Sequence, residues 1–239
     1  MGIRITLIAL LISVSTLCQS QIIIALIFGD KLNSDKMKFG MDLGANYSTI
    51  NSFQSNYNRT SLNLGLFFEF KLSDRLLLSP NLFFINESGG SKLPTYSLND
   101  TILDAALSES QVLRKMKYFS LPVLLKVRLF NQFYFDLGPQ ISLLSKANDI
   151  FYEKSDKGNI SFESDIKNSI NLWDFGGVVG FSYKLRKGEG LSINLRYYQG
   201  FLPIYASSAQ PTQYNQIIQA GVSFSIKTKS PQEMDKLQK

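Results

Sequence analysis

SLNLGLFFEFKL, residues 61–72, decides the fold. Leu62, Leu64, Leu66, Phe68, Phe70 and Leu72 occupy every second position, and Ser61, Asn63, Gly65, Phe67, Glu69 and Lys71 fill the places between them. Successive side chains of a strand point to opposite faces, whereas a helix returns an apolar side chain every three or four residues. Near-unbroken alternation over this stretch predicts a strand with one greasy and one polar face.

The same reading succeeds at 37–48, 75–86, 116–129, 132–145, 171–185, 191–201 and 215–227. In 37–48, for instance, Met37, Phe39, Met41, Leu43, Ala45 and Tyr47 oppose Lys38, Gly40, Asp42, Gly44, Asn46 and Ser48. The sequence therefore predicts eight strands, an even number that lets the first pair with the last and close a barrel. The connectors alternate in length. Segments 49–60, 87–115, 146–170 and 202–214 are long and polar, and 73–74, 130–131 and 186–190 are short. In an up-and-down meander all long loops then lie at one end.

Two barrels alternate in this way. A soluble ligand-binding barrel turns its apolar face inward, and a membrane barrel turns it outward. Three features favour the membrane form. The apolar faces carry more Phe, Tyr, Trp and Leu than a narrow lumen could enclose. The loop asymmetry is that of outer-membrane barrels with short periplasmic turns. The polar faces hold both signs of charge, which can pair inside a tube. Lipid offers the backbone no hydrogen-bond partner, so a spanning sheet must close. Tyr47, Phe133, Trp173, Tyr183 and Phe201 are expected at the interfacial girdles.

The start of the chain reads as an export signal. Arg4 is the only charge before Asp30, Ile5 to Leu17 is nearly all apolar, and Cys18 and Ser20 are small residues suited to cleavage after Ser20. A lipoprotein signal fits poorly, with Leu17 just before Cys18. A permanent transmembrane helix is broken by Gln19-Ser20-Gln21. The expected organisation is a signal peptide (1–20), a periplasmic segment (21–35), the barrel (36–227) and a polar tail (228–239). The apolar segment 21–32 is expected to fold back on the periplasmic mouth. Cleavage takes the net charge from +6 to +5 and removes the only cysteine, so no disulfide is expected. The chain has no histidine. Histidine-dependent catalysis, Cys/His zinc sites and haem ligation by His or Cys are excluded. No basic run with interleaved aromatics suggests a nucleic-acid groove.

With the strands laid out, the chain resembles the PorT-like outer-membrane β-barrel family of Gram-negative bacteria. The matching stretches are FGDKLNSDKMKFGMDLGANYS (28–48), YFSLPVLLKVRLF (118–130), FYFDLGPQISLL (133–144), WDFGGVVGFSYKL (173–185) and LRYYQGF (195–201). The resemblance implies an all-β, eight-stranded antiparallel transmembrane barrel in the outer membrane. For the namesake it implies a link to protein export by the type nine secretion system. The last strand also looks like a barrel-assembly signal at Gln219, Gly221, Phe224 and Ile226, with Ile226 where an aromatic is usual.

The inward charges Asp42, Glu69, Lys71, Lys126, Arg128, Asp136, Asp174 and Arg196 are expected to converge as a structural polar network, because buried charges are costly without partners. No catalytic, cofactor-binding or metal-ligating set emerges, so an enzyme is not expected. The sequence predicts a monomer that meets outer-membrane lipid and, during insertion, the barrel-assembly machinery. A protein partner is expected at loops 87–115 and 146–170 or at the tail. An accessory role in secretion and a small diffusion channel are the alternatives. Segment 101–113 suits a short amphipathic helix.

Overall fold

A computed structural model describes residues 36–51, 56–155, 158–185, 190–206 and 212–225. The expected signal peptide, segment 21–35, Ile226 and the tail lie outside the described residues.

Among the described residues nine strands occur: β1 (Met37–Asn51), β2 (Asn56–Lys71), β3 (Leu76–Leu93), β4 (Gln111–Phe130), β5 (Phe133–Ser155), β6 (Gly158–Asp165), β7 (Trp173–Lys184), β8 (Leu191–Gly200) and β9 (Asn215–Ser225). Eight of them form a closed antiparallel ring in the order β1–β2–β3–β4–β5–β7–β8–β9, and β9 pairs back onto β1 from Gly40↔Ser225 to Ile50↔Asn215. The expected eight-stranded barrel is therefore present. The ninth strand was not expected: β6 pairs with the distal half of β5, from Asn148↔Asp165 to Ser155↔Gly158.

The alternation sets which way side chains point. Leu62, Phe119, Leu137, Phe181 and Leu195 stand exposed on the outside, while Asn63, Ser120, Asp136, Ser182 and Arg196 are buried inside. At Phe84 the rule breaks. Leu64 pairs with Ile85 but Gly65 with Phe83, so Phe84 is a bulge, and both Phe84 and Ile85 face outward. The turn joining β4 to β5 is a two-residue hairpin closed by Phe130↔Phe133, and Asn131 takes its left-handed conformation (φ 44°).

Phe67 falls on the otherwise polar face of β2, and Gly40 makes room for it. A Cβ on Gly40 would lie 2.6 Å from the Phe67 ring and 2.2 Å from the Phe224 carbonyl oxygen. Gly40→Ala is expected to destabilise the barrel by about 1–3 kcal/mol through overpacking. A lower midpoint of urea unfolding in detergent micelles is the check.

The sheet extends into the long connectors. β3 runs on to Leu93 and β4 begins at Gln111, which takes strand into both ends of 87–115, while β5 and β6 occupy most of 146–170. The pattern there inverts. Ile50, Val112, Met116, Leu144 and Phe151 are buried inside, whereas Lys115, Lys117 and Lys146 lie outside. Below this level apolar side chains face out; above it they face in, forming a core of Ile50, Met116, Tyr118, Leu144, Ala147, Ile166, Ile170 and Ile204. A second cluster (Leu93, Leu107, Val112, Phe151) sits beyond it. The helix α1 (Thr101–Ala106) falls within the expected 101–113 and packs Leu103 on that cluster. The Asp100 carboxylate caps it, accepting from the Ile102 and Leu103 amides at 2.9 and 3.2 Å.

Candidate functional site: the barrel lumen and the head above it

The inward residues stack in layers. Nearest the tight turns, Glu69 on β2 accepts from Lys126 of β4 at 2.8 Å and from Lys184 of β7 at 2.5 Å. One carboxylate thus ties three strands across the lumen. The Tyr134 ring lies under the Lys184 ammonium, 4.9 Å from its centroid.

The next layer centres on Arg196 of β8. Its guanidinium donates to Asp42 of β1 at 3.0 Å, and its Nε lies 3.9 Å from Asp136 of β5. Gly180 lies between Arg196 and Asp136 in register, and a Cβ there would meet the Arg196 side chain at 2.9 Å. Ser182 donates to Asp136 (2.9 Å), and Asn194 and Asn81 lie 3.5 and 3.4 Å from Asp42. Both ends of the Arg196–Asp42 pair are almost wholly buried, at 2% and 1% exposure. At this depth the charges must be paired.

Above it Leu124, Val178, Tyr198 and Ile217 pack together. A polar layer follows. Asn63 donates to Asn46 (2.5 Å), Asn46 to Asn86 (2.7 Å) and Asn86 to Ser120 (2.8 Å). Asp174 accepts from Asn215 at 2.9 Å, and Asn215 lies beside Ser88 and Tyr118.

Six of the eight expected charges are therefore buried in the lumen: Asp42, Glu69, Lys126, Asp136, Asp174 and Arg196. Asp174 is held by an amide rather than by a cation. Two stand apart and correct the expectation. Lys71 is half-exposed at the tight-turn end and pairs with Asp74 at 2.7 Å, because its strand has already left the lumen. Arg128 is partly exposed and donates to the Tyr134 hydroxyl at 2.9 Å. Lys184 was legible on the polar face of its strand but not as a partner of Glu69, which is 115 residues away. Of the assembly-signal residues, Gln219 faces inward, Gly221 pairs with Gly44 at the closing seam and Phe224 faces outward.

The head has its own ion pair. Arg114 grips Asp149 through two hydrogen bonds, 2.8 Å from Nε and 2.6 Å from an Nη, and its other Nη donates to the Tyr205 hydroxyl. Tyr96 donates to the same carboxylate at 2.9 Å. Burial and the facing Asp149 charge push the Tyr96 phenol well above its usual range, so it stays a donor. Both Arg114 and Asp149 fall in segments read as loops, where the inverted pattern hid them. Among the described residues, no group of three or more His, Cys, Asp or Glu side chains could hold a metal ion.

Residues 29–206 match the family described as outer membrane protein beta-barrel domain, well over half of the chain. The chain belongs to that family. Several solved outer-membrane proteins are similar to this barrel. Neisserial surface protein A has 10% identity and a TM-score of 0.46, over 79% of this chain and 97% of that one. Ail, the attachment invasion locus protein of Yersinia pestis, solved in complex with the heparin analogue sucrose octasulfate, has 10% identity and a TM-score of 0.43, over 80% and 99%. OprG from Pseudomonas aeruginosa has 13% identity and a TM-score of 0.35, over 80% and 94%. No curated protein matches the chain.

Membership of the outer membrane protein β-barrel family orients the molecule. The outward apolar band faces lipid, and barrels of this kind turn their short connections to the periplasm and their long ones outward.

Proposed function

We propose that this outer membrane protein is a closed, non-conducting barrel that holds its extracellular head as an interaction surface. The observation that carries this reading is the filled lumen. The Glu69–Lys126–Lys184 and Asp42–Arg196 layers and the apolar layer of Leu124, Val178, Tyr198 and Ile217 lie one above another across the tube. An eight-stranded barrel has an interior that side chains just fill, and here two ionic layers, an apolar one and an amide one succeed each other along it. A permeating ion would have to displace a buried ion pair and then cross an apolar septum.

Function on this reading lies in the head. There the sheet presents the far ends of β3, β4 and β5 and the α1 connector, and rigid scaffolds carry recognition on such segments. The protein is monomeric and non-enzymatic, with residues 1–20 removed on export and Gln219, Gly221, Phe224 and Ile226 read by the assembly machinery. Purified protein in planar bilayers is expected to give no steady single-channel steps. Reproducible ohmic steps would establish the diffusion channel instead.

The PorT-like motifs at 118–130, 133–144 and 173–185 favour a second reading, an accessory of protein export. Co-purification with a secretion complex from solubilised outer membranes, lost when residues 228–239 or the head loops are trimmed, is its test.

A further inference from the structure

Three lysines stand together on the lipid side of the barrel, immediately above the apolar band. Phe119 of β4, Leu143 of β5 and Trp173 of β7 lie in one paired row, and Phe119 and Trp173 are exposed outward. A tryptophan at this height marks the membrane interface. Two residues above Phe119 along β4, about 7 Å by strand rise, Lys117 faces Lys146 of β5 directly across the pair. Their side chains are 50% and 60% exposed. Lys115 follows on the same face of β4, opposite Asn148, and has no ion pair among the described residues.

Like charges placed directly opposite each other on a sheet destabilise it. The neighbouring carboxylates do not cancel this charge. Glu87 approaches Lys117 at 3.1 Å, but its other oxygen is held by Arg59 at 2.6 Å. Glu163 lies 3.4 Å from Lys146 and also accepts from Asn148 at 2.5 Å. Asp165, in register with Asn148, accepts from the Lys167 amide at 2.8 Å. Arg59, Lys115, Lys117 and Lys146 thus outnumber the three carboxylates. Toward β7 and β8 the exposed residues among those described include Leu172, Phe201, Leu202 and Tyr214, which carry no charge, and Lys167 beside β6 adds a further exposed cation. Among the described residues, Lys115, Lys117 and Lys146 thus form one group on neighbouring strands β4 and β5.

We infer that Lys115, Lys117 and Lys146 bind the phosphate of an outer-leaflet lipid headgroup. The ammonium groups lie where such a phosphate sits, and Phe119, Leu121 and Ile141 below them offer an exposed apolar track for its acyl chains. A phosphate between Lys117 and Lys146 also relieves their repulsion. A free anion gains the charge but not the track.

The chain provides its own reporter, because Trp173 is the only tryptophan and stands in the row beneath the lysines. The full chain, reconstituted in phosphatidylcholine vesicles, is titrated with dansyl-labelled bisphosphorylated lipid A, and energy transfer from Trp173 is read. Saturable transfer is expected with the phosphorylated lipid and only background transfer with its dephosphorylated counterpart. Each lysine near an anionic headgroup contributes about fivefold in affinity. The K115Q/K117Q/K146Q triple variant is therefore expected to lose about a hundredfold, and K115Q, which breaks no ion pair among the described residues, about fivefold. Heat-modified gel migration confirms that each variant is folded, and K115Q decides the matter if the triple variant is not. Lys71→Gln on the periplasmic rim is expected to leave binding unchanged. Equal transfer with the dephosphorylated lipid, wild-type affinity in K115Q, or displacement by millimolar inorganic phosphate would each overturn the proposal.

Discussion

Glu69→Gln is expected to destabilise the barrel by about 3–5 kcal/mol, the cost of breaking a buried ion pair by removing one partner. Glu69 neutralises two ammonium groups at once, Lys126 at 2.8 Å and Lys184 at 2.5 Å, and all three side chains are buried. An amide in its place can still accept hydrogen bonds, but it leaves two buried cations without a counter-charge. They must then be desolvated unpaired or lose protons. The same reasoning predicts a rescue. Converting the group to Glu69→Leu, Lys126→Met and Lys184→Met removes the charges together and is expected to recover most of the loss, since a buried ion cluster often gives way to apolar residues at little cost. Denaturant unfolding of the reconstituted protein, followed by its heat-modified gel migration, measures both. An unshifted midpoint in Glu69→Gln would show that the triad does not hold the strands together.

Leu137→Arg tests the outward face at mid-band and is expected to cost about 2–4 kcal/mol. Leu137 sits in the row Leu125–Leu137–Val179–Tyr197 across β4, β5, β7 and β8, and its side chain is 53% exposed on the outside. In water an arginine at so exposed a place would be almost neutral. In hydrocarbon it must stretch its guanidinium toward the interface or draw water inward. The loss should therefore appear in vesicles. Arginine in place of Lys115, at headgroup height, should cost nothing measurable. Equal tolerance at both sites would remove the lipid-facing assignment.

The transmembrane part was legible because lipid and lumen impose opposite demands on alternate residues. Strand 61–72 displays the rule in pure form, and the pairing of first strand with last followed from the even number. The head was not legible for the same reason. Once β4 and β5 leave the bilayer, water replaces lipid outside and a protein core replaces the lumen, so the period survives while its sign reverses. Met116 points inward beside outward Lys117, and the two face types exchange within a few residues of Phe119. A reading tuned to one sign sees a polar loop there. β6 was hidden further, because it pairs with an extension that had itself gone unrecognised. At the site, sequence supplied the inward charges but not their partners. The Glu69–Lys184 contact depends on barrel closure, and Lys71 and Arg128 sit near strand ends, where membership of the lumen is decided by a residue or two.

β4 and β5 run without interruption from the periplasmic hairpin at Asn131 to the far end of the head. A bulge at Ser145, between Lys117↔Lys146 and Tyr118↔Leu144, marks the step from the part anchored in lipid to the part above it, and both strands continue through it. The head is thus held at one fixed attitude to the cell surface, and whatever docks there meets it like a bracket bolted to a wall. Its approach angle is set by the tilt of the two strands rather than by a search over orientations.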